Sequence, residues 1–424
     1  MLDLKFIKEN IDAVKVNIQN RNVKADADKV VELYDARNKA LQELEDLRRQ
    51  RNENANKMKG KLEQSERQVL IEEGKSLKEQ IALKESSSED IFSSLKEEAS
   101  RIPNMAHPDA PIGKEDKDNT EIKRSGTIPQ FSYKAKDHVE LGESLKLIDF
   151  ETATRVSGPK FYYLTNEAVI LELALTRYAL DILQKQGFTI SITPDIAKEE
   201  IVEGIGFNPR GPESNIYNLE GTGTCLVGTA EITLGGYYAD QIINLNDGPI
   251  LMAGVSHCFR REAGSAGQYS KGLYRVHQFS KIEMFVYCKP GESDAIHEKL
   301  RSIEEEIFSS LDIPFRVVDT CTGDLGGSAY RKYDLEAWMP GRGENGDWGE
   351  ITSTSNCTDY QSRRLGIRYK DENGNNINVH TLNGTAIAIS RAIISIMENF
   401  QQEDGSIKMP EKLIPYTGFK EIRR

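Results

Sequence analysis

The chain is short of everything that would mark it as secreted, metal-stapled or membrane-embedded. Its five cysteines, Cys225, Cys258, Cys288, Cys321 and Cys357, are odd in number and form no Cys-x-x-Cys pair, which disfavours both a disulfide framework and a zinc cluster. They read as small buried thiols in a reducing compartment. No run of about 18 apolar residues occurs, which argues against a membrane span. The opening Met1-Leu2-Asp3-Leu4-Lys5 has neither the apolar core of a secretory leader nor the acid-free, arginine-rich character of a transit peptide, so a cytoplasmic location is expected. Positive charge is in deficit too. With 55 Lys and Arg against 67 Asp and Glu the formal net charge is −12, which excludes a protein that coats DNA or RNA indiscriminately through many phosphate contacts. A localised basic face is compatible with that total.

What is present suffices for two domains: 424 residues, 38% hydrophobic and 29% charged. From Asp28 to Ile102 there is no proline, and Glu, Lys, Arg, Gln, Leu and Ala dominate, a composition that favours long helices. Val30, Tyr34, Arg37, Leu41, Leu44, Arg48, Arg51, Ala55, Met58 and Leu62 follow steps of four and three. Leu70, Gly74, Leu77, Ile81, Lys84, Ser88, Ile91, Leu95, Glu98 and Ile102 keep the same rhythm. Two such series around a polar break at 60–66 predict an antiparallel helical hairpin, a coiled coil with arms of roughly 50 Å. Arg48, Arg49, Arg51, Lys57, Lys59 and Lys61 cluster towards its tip, either as a solvated face or as contacts for phosphates.

Residues 103–135, with Pro103, Pro108, Pro111, Gly113, Gly126 and Pro129, read as a linker followed by a short strand, and the domain boundary is expected at 105/106. Beyond it helices alternate with β-rich runs, an α+β texture. Residues 166–186 predict an amphipathic helix closed by Gly187, leading into an alternating strand from Phe188 that ends at Pro194. Residues 384–399 read as an apolar helix interrupted by Arg391, a cation that is costly to bury unless it meets an anion.

Residues 255–285 carry the most chemistry. Arg260 and Glu262 end one apolar run, a small-residue loop follows, and a second run carries Arg275, His277, Phe279, Lys281 and Glu283, which share a face if the strand is unbroken. A cation, an aromatic plate and a carboxylate on one face suit a triphosphate, a base and an amine. The alternative is a surface hairpin whose charges face water.

The wording of this stretch, Cys258-Phe259-Arg260-x-Glu262-Ala263-Gly264 and then Gly272-Leu273-Tyr274-Arg275-Val276-His277-Gln278-Phe279, resembles motif 2 of the class II aminoacyl-tRNA synthetases, and within them the seryl-tRNA synthetases most closely. The helix, strand and Pro194 look like motif 1, which in the family builds the dimer interface, and the segment around Arg391 looks like motif 3. Trp348-Gly349-Glu350-Ile351-Thr352-Ser353-Thr354-Ser355-Asn356, continued by Cys357 to Arg364, is similar to the family's metal-and-ATP segment. Thr229-Ala230-Glu231 matches its Thr-x-Glu element. Gln268, Tyr269 and Lys271 depart from the residues more often found there, Arg, Asp and Arg.

The resemblance implies an antiparallel class II sheet with flanking helices and a homodimer that makes an aminoacyl adenylate. It implies that Arg260 holds the α-phosphate and the substrate carboxylate, that Arg391 contacts the γ-phosphate of a bent ATP, and that Glu262 accepts from the adenine amino group. Phe279 would lie against the adenine with Arg391 on the other side. Arg261, Arg275, Val276, Ile351 and Thr352 complete the implied ATP set, and Glu350 with Ser353 would hold Mg2+ beside the phosphates. Thr229 and Glu231 would hold the amino group of L-serine, with Ala230 between them in the serine-binding set; Glu283 would also bind the substrate, and Asn383 with Thr385 would close the hydroxyl end. The hairpin, and Lys271 near the acceptor stem, would bind tRNA(Ser) and, where the organism has one, tRNA(Sec), through backbone and shape. Threonine is the nearest rival substrate, but its family uses zinc on cysteine and histidines, whereas Cys321 and His380 read here as a core thiol and a structural histidine. Two further readings compete: a synthetase-like paralogue that loads a carrier protein or small molecule, and a coiled-coil scaffold with a dead catalytic body.

Overall fold

The computed structural model describes residues 1–209, 214–263 and 269–424, which form two compact units, Met1–Met105 and Ala106–Arg424. In the first unit two short helices, α1 (Leu4–Glu9) and α2 (Ile11–Asn20), precede the long pair α3 (Ala27–Lys57) and α4 (Gln64–Arg101). Asp26 starts α3 by accepting from the Lys29 amide at 2.9 Å, and a reciprocal Glu63–Glu66 capping box starts α4. Leu77, Ile81, Ser88, Leu95 and Ala99 of α4 are buried, the first four of them in the predicted series and Ala99 next to its Glu98.

On α3 the seam differs from the prediction. Val30 and Leu44 are buried as expected, but Ala40 and Asn54 take the places assigned to Leu41 and Ala55, and Arg48 and Arg51 are exposed. The reason is polar. Arg48 is drawn across to Glu85 at 2.6 Å on the surface, while Asn54 donates to Glu73 at 2.8 Å and lies against Gly74, where a Cβ would come within 3.2 Å of its Oδ1.

The second unit is built on eight strands: β1 (Thr120–Ser125), β2 (Thr189–Ile192), β3 (Ile250–Phe259), β4 (Gln278–Cys288), β5 (Phe315–Asp319), β6 (Arg331–Met339), β7 (Asp347–Thr358) and β8 (His380–Ala388). They are ordered β1-β5-β6-β7-β8-β4-β3-β2. All neighbours are antiparallel except the edge pair β2–β3, which a long crossover between Ile192 and Ile250 makes possible. The short strand expected within 103–135 is the opposite edge strand, β1.

Helices α5 (His138–Ser144), α6 (Glu167–Lys185), α7 (Ala230–Gly235), α8 (Ser293–Ser310), α9 (Tyr360–Leu365) and α10 (Ile389–Asn399) pack around the sheet. Strand β4 shows how two cores are divided. Its even-numbered Ile282, Met284, Val286 and Cys288 enter the large core with α6, α8 and α10. Phe285 and Tyr287 enter a second core that includes Ile232 and Leu234 of α7 and Leu365 of α9. Residues 384–388, predicted as the start of a helix, instead end strand β8, because Thr385 and Ile387 continue its two-residue alternation and the helix begins only at Ile389. In α10 every residue is buried except Arg391.

Candidate active site

The odd face of β4 runs out of its core into a cavity with about 750 Å³ of empty space, part of it open to solvent. Phe279, Lys281 and Glu283 line it from β4, joined by Arg275 from just before the strand. His277 departs from the predicted face: it lies outside the strand, with Nδ1 2.9 Å from the Arg260 carbonyl and its ring against Phe161 and Tyr217.

Three other elements complete the walls. Strand β8 brings Asn383 and Thr385, helix α10 brings Arg391, and β7 brings Glu350, Ile351, Thr352 and Ser353. Glu350 and Ser353, three apart, would ordinarily face opposite sides of a strand. The β6–β7 register slips between the Leu335–Thr352 and Glu336–Glu350 pairs, so Ile351 is an extra residue and the alternation shifts by one. That bulge aims both oxygen donors into the cavity. Glycine at 254, opposite Glu283 in the β3–β4 ladder, lets α7 approach the sheet: a Cβ there would come within 3.1 Å of Ala230 and 2.8 Å of Thr193. The N-cap of α7, Thr229, accepts from the Glu231 amide at 3.2 Å and donates to Glu283 at 3.3 Å.

Two chemically distinct ends result. At one, Arg391 Nη1 lies 2.9 Å from the Glu350 carbonyl and 3.3 Å from its carboxylate, with the guanidinium 4.7 Å from the Tyr274 ring centre. Arg260 donates to the Gly228 carbonyl at 3.3 Å and stacks 5.2 Å from the Phe279 centre, and Arg275 reaches Glu262 at 3.3 Å. Glu262 itself takes φ +49, a strained left-handed conformation of the kind concentrated at functional sites. Burial would raise the Glu350 pKa, but Arg391, Lys332, Arg260 and Arg275 together hold it below the ordinary carboxylate range.

At the other end, Glu231 Oε1 accepts from Gln361 at 2.8 Å and from Asn383 at 2.9 Å, while Thr385 donates to Glu283 at 3.3 Å. Burial and the neighbouring charge of Glu283 push the Glu231 carboxyl up to about 7. Beneath, Glu304 of α8 is fully buried and accepts from Thr352 at 3.1 Å, and desolvation drives its carboxyl well above the ordinary carboxylate range.

Of the residues expected from the sequence, Arg260, Glu262, Arg275, Val276, Phe279, Glu350 to Ser353, Arg391, Thr229, Glu231, Glu283, Asn383 and Thr385 meet in this one cavity. Two stand apart from its lining. Ala230 is packed in the second core, and Arg261 is exposed, with its amide on the Asn215 carbonyl at 2.9 Å. Lys271 pairs with Asp137, the N-cap of α5, Tyr269 sits 4.5 Å from the Arg342 guanidinium, and Gln268 lies outside the described residues. The cavity adds Lys281, Tyr274, Phe207 and Ser390 to its walls. The odd-numbered alternation already contained Lys281, whereas Gln361 stood in the run Cys357 to Arg364 with nothing to place it behind Glu231.

In the first unit, Arg48, Arg49, Arg51, Lys57, Lys59 and Lys61 are all exposed. Arg48 and Arg49 are partly neutralised by Glu85 at 2.6 Å and Asp46 at 2.9 Å.

Comparison with known proteins agrees with both units. The Seryl-tRNA synthetase N-terminal domain family matches residues 1–106, and the tRNA synthetase class II core domain (G, H, P, S and T) family matches residues 218–400. The serine--tRNA ligase of Treponema denticola is 66% identical, covering 100% of this chain and 100% of its own length. Among solved structures, the seryl-tRNA synthetase from Pyrococcus horikoshii complexed with ATP superposes with a TM-score of 0.90 at 41% identity, covering 100% of this chain and 99% of that one. The cytoplasmic serine-tRNA ligase from Naegleria fowleri in complex with AMP gives 0.86 at 30% identity, with the same coverage. Similarity of this extent, over the hairpin as well as the sheet, does not favour a paralogue that loads a carrier protein or small molecule, and the chain belongs to the seryl-tRNA synthetases of class II.

Proposed function

We propose that the cavity activates L-serine with ATP to seryl-adenylate, and that the seryl group then passes to the 3′ end of tRNA(Ser). The observation that supports this most is the convergence of Arg260 and Arg391, 131 positions apart by their numbers (391 minus 260), on a cavity whose far end is a small pocket of carboxylates, an amide and hydroxyls.

In the first step an oxygen of the serine carboxylate forms a bond to the α-phosphorus while the bond to pyrophosphate breaks. Two anions must meet, so positioned cations govern the barrier. Arg260 holds the serine carboxylate against the α-phosphate, and Arg391 binds the γ-phosphate. Both posts suit the planar guanidinium fork. Glu262 accepts from the adenine amino group and Phe279 supports the ring. Arg261, Arg275, Val276, Ile351 and Thr352 belong to the same nucleotide set, although Arg261 would have to swing in from its exposed position.

Glu350 and Ser353 offer a carboxylate and a hydroxyl on one wall, hard donors that fit Mg2+. Among the described residues no group of three His, Cys, Asp or Glu is placed to hold a metal alone, which suits an ion whose remaining ligands are phosphate and water. When bound, Mg2+ neutralises charge on the phosphate oxygens. At the serine end Thr229, Glu231 and Glu283 take the ammonium, with Ala230 serving only to pack α7 on the sheet. Asn383 and Thr385 close on the hydroxyl, and an amino acid lacking that hydroxyl would leave them unpaired.

The basic hairpin tip and Lys271 bind the tRNA backbone, and recognition by shape extends to tRNA(Sec) where one exists. Homodimer formation is supported by an exposed apolar face on α6 and β2, where Val169 is 41%, Leu173 61% and Ile192 86% exposed. A cytoplasmic reaction belongs to the same reading. Among the described residues no helix is long and apolar enough to cross a membrane. A charging assay tests the whole reading: serine-dependent adenylate formation followed by transfer to tRNA(Ser) is expected, and adenylate formation without transfer would refute it.

A further inference from the structure

The floor of the cavity holds two carboxyls and a single ammonium. Glu231 is 9%, Glu283 2% and Lys281 5% exposed. The Lys281 ammonium pairs with Glu283 Oε2 and reaches Thr385 Oγ1 at 3.4 Å. The same Oε2 accepts from Thr229 and Thr385, each at 3.3 Å. All three donors converge on one oxygen, so Oε1 is the one left for a ligand. We propose that Lys281 is a positioning residue for the amino acid substrate, pinning Oε2 of Glu283 so that this carboxylate stays oriented towards the serine ammonium.

This inference rests on reading the pocket as the serine site, and it adds the residue that sets the pocket's charge. Two carboxylates sharing a buried site cannot both ionise without a counter-ion. With Lys281, Thr229 and Thr385 all on Oε2 of Glu283, the neighbouring Glu231, pushed up to about 7 by burial and by Glu283, is the group left to exchange a proton. Serine brings its own carboxylate to Arg260, and its ammonium then supplies the second positive charge. The other groups facing this pair are Arg260 and Cys258 from β3 and its end, Thr229 and Glu231 from α7, Thr385 from β8, and Glu304 from α8 beneath. Apart from Lys281, Arg260 is the one cation among them, and it is committed to the carboxylate of the substrate.

The test is serine-dependent pyrophosphate exchange by the full-length enzyme, with serine and ATP varied separately between pH 6 and 9. It compares wild type, Lys281→Met, Lys281→Arg and Glu283→Ala. Lys281→Met should raise the serine KM by roughly tenfold or more while the ATP KM stays within about twofold. It should also move the midpoint of the acid limb of kcat/KM for serine upward, because both carboxyls then share a proton. Lys281→Arg should restore the midpoint. An unchanged serine KM and midpoint in Lys281→Met, alongside a raised serine KM in Glu283→Ala, would overturn the role of Lys281 and leave the serine pocket standing. If Glu283→Ala also left serine use intact, the pocket assignment itself would fall. Lys281→Gln, which keeps a donor without the charge, serves as the second variant should Lys281→Met fail to bind ATP. The same split is expected of it, and the same constancy would overturn the proposal.

Discussion

Glu231→Gln isolates one charge in the serine pocket with little disturbance of its frame. In the native pocket Oε1 of Glu231 accepts from Gln361 at 2.8 Å and Asn383 at 2.9 Å. A glutamine carbonyl can keep both bonds, which forces its NH2 to the other side, where the serine ammonium would meet a donor instead of an anion. A charge-assisted hydrogen bond contributes roughly 1.5–3 kcal/mol, or about 10- to 150-fold in kcat/KM for serine. That full loss is expected only where Glu231 is ionised. Its carboxyl titrates near about 7, so at pH 8 most of the native enzyme carries the charge, whereas at pH 6 only about a tenth does. The gap between native enzyme and variant should therefore shrink roughly tenfold from pH 8 to pH 6.

The same group predicts a stability effect of opposite direction. Its folded pKa of about 7 lies above the ordinary 4.5, so the folded state favours the protonated form. Stability contributed by that preference is intact below about 4.5 and is lost as pH rises to about 7, by roughly 3 kcal/mol in total. Glu231→Gln should flatten that decline in the absence of serine. The assays are pyrophosphate exchange at saturating ATP from pH 5.5 to 9 and denaturant titration over the same range. A variant that keeps the native acid limb, or that loses activity by one factor at every pH, would refute the reasoning.

Other outcomes follow from the remaining geometry. Arg391→Ala removes the one residue of α10 that is not buried and frees the Glu350 carboxylate at 3.3 Å, so pyrophosphate exchange should fall by roughly a thousandfold with the melting temperature little changed. Near-normal exchange would contradict its place at the phosphates. Removing residues 30–100 should leave adenylation and strongly weaken tRNA charging, and equal loss of both would make the hairpin a structural support. Leu173→Asp, on an apolar face 61% exposed at that residue, should shift the sedimentation profile from dimer towards monomer, whereas an unchanged profile would place the interface elsewhere.

Much of this site was legible because its residues lie on regular elements. Period-two alternation along β4 put Phe279, Lys281 and Glu283 on one face, and the motif wording supplied Arg260, Glu350 and Arg391, which no periodicity could have brought together. Where regularity breaks, local pattern misleads. The bulge at Ile351 is what turns Glu350 and Ser353 to the same side, and nothing in a Thr- and Ser-rich run announces it. His277 fails the alternation because the ladder begins only at Gln278. The residues from Gly384 read as helix because Ala and Ile serve either structure, and the tertiary pairing of Thr385 with Glu283 decides for strand. On the hairpin, leucine spacing alone could not foresee a seam that admits Asn54, since the hydrogen bond to Glu73 that makes its burial tolerable joins two separate helices.

The most direct test of the central claim, that Arg260, Arg391 and the hydroxyl-lined pocket form one serine-activating centre, is amino-acid-dependent pyrophosphate exchange across the twenty amino acids. Exchange with serine, and with alanine and threonine lower by orders of magnitude, is the expected result. Comparable exchange with either of those two, or none with serine, would contradict it.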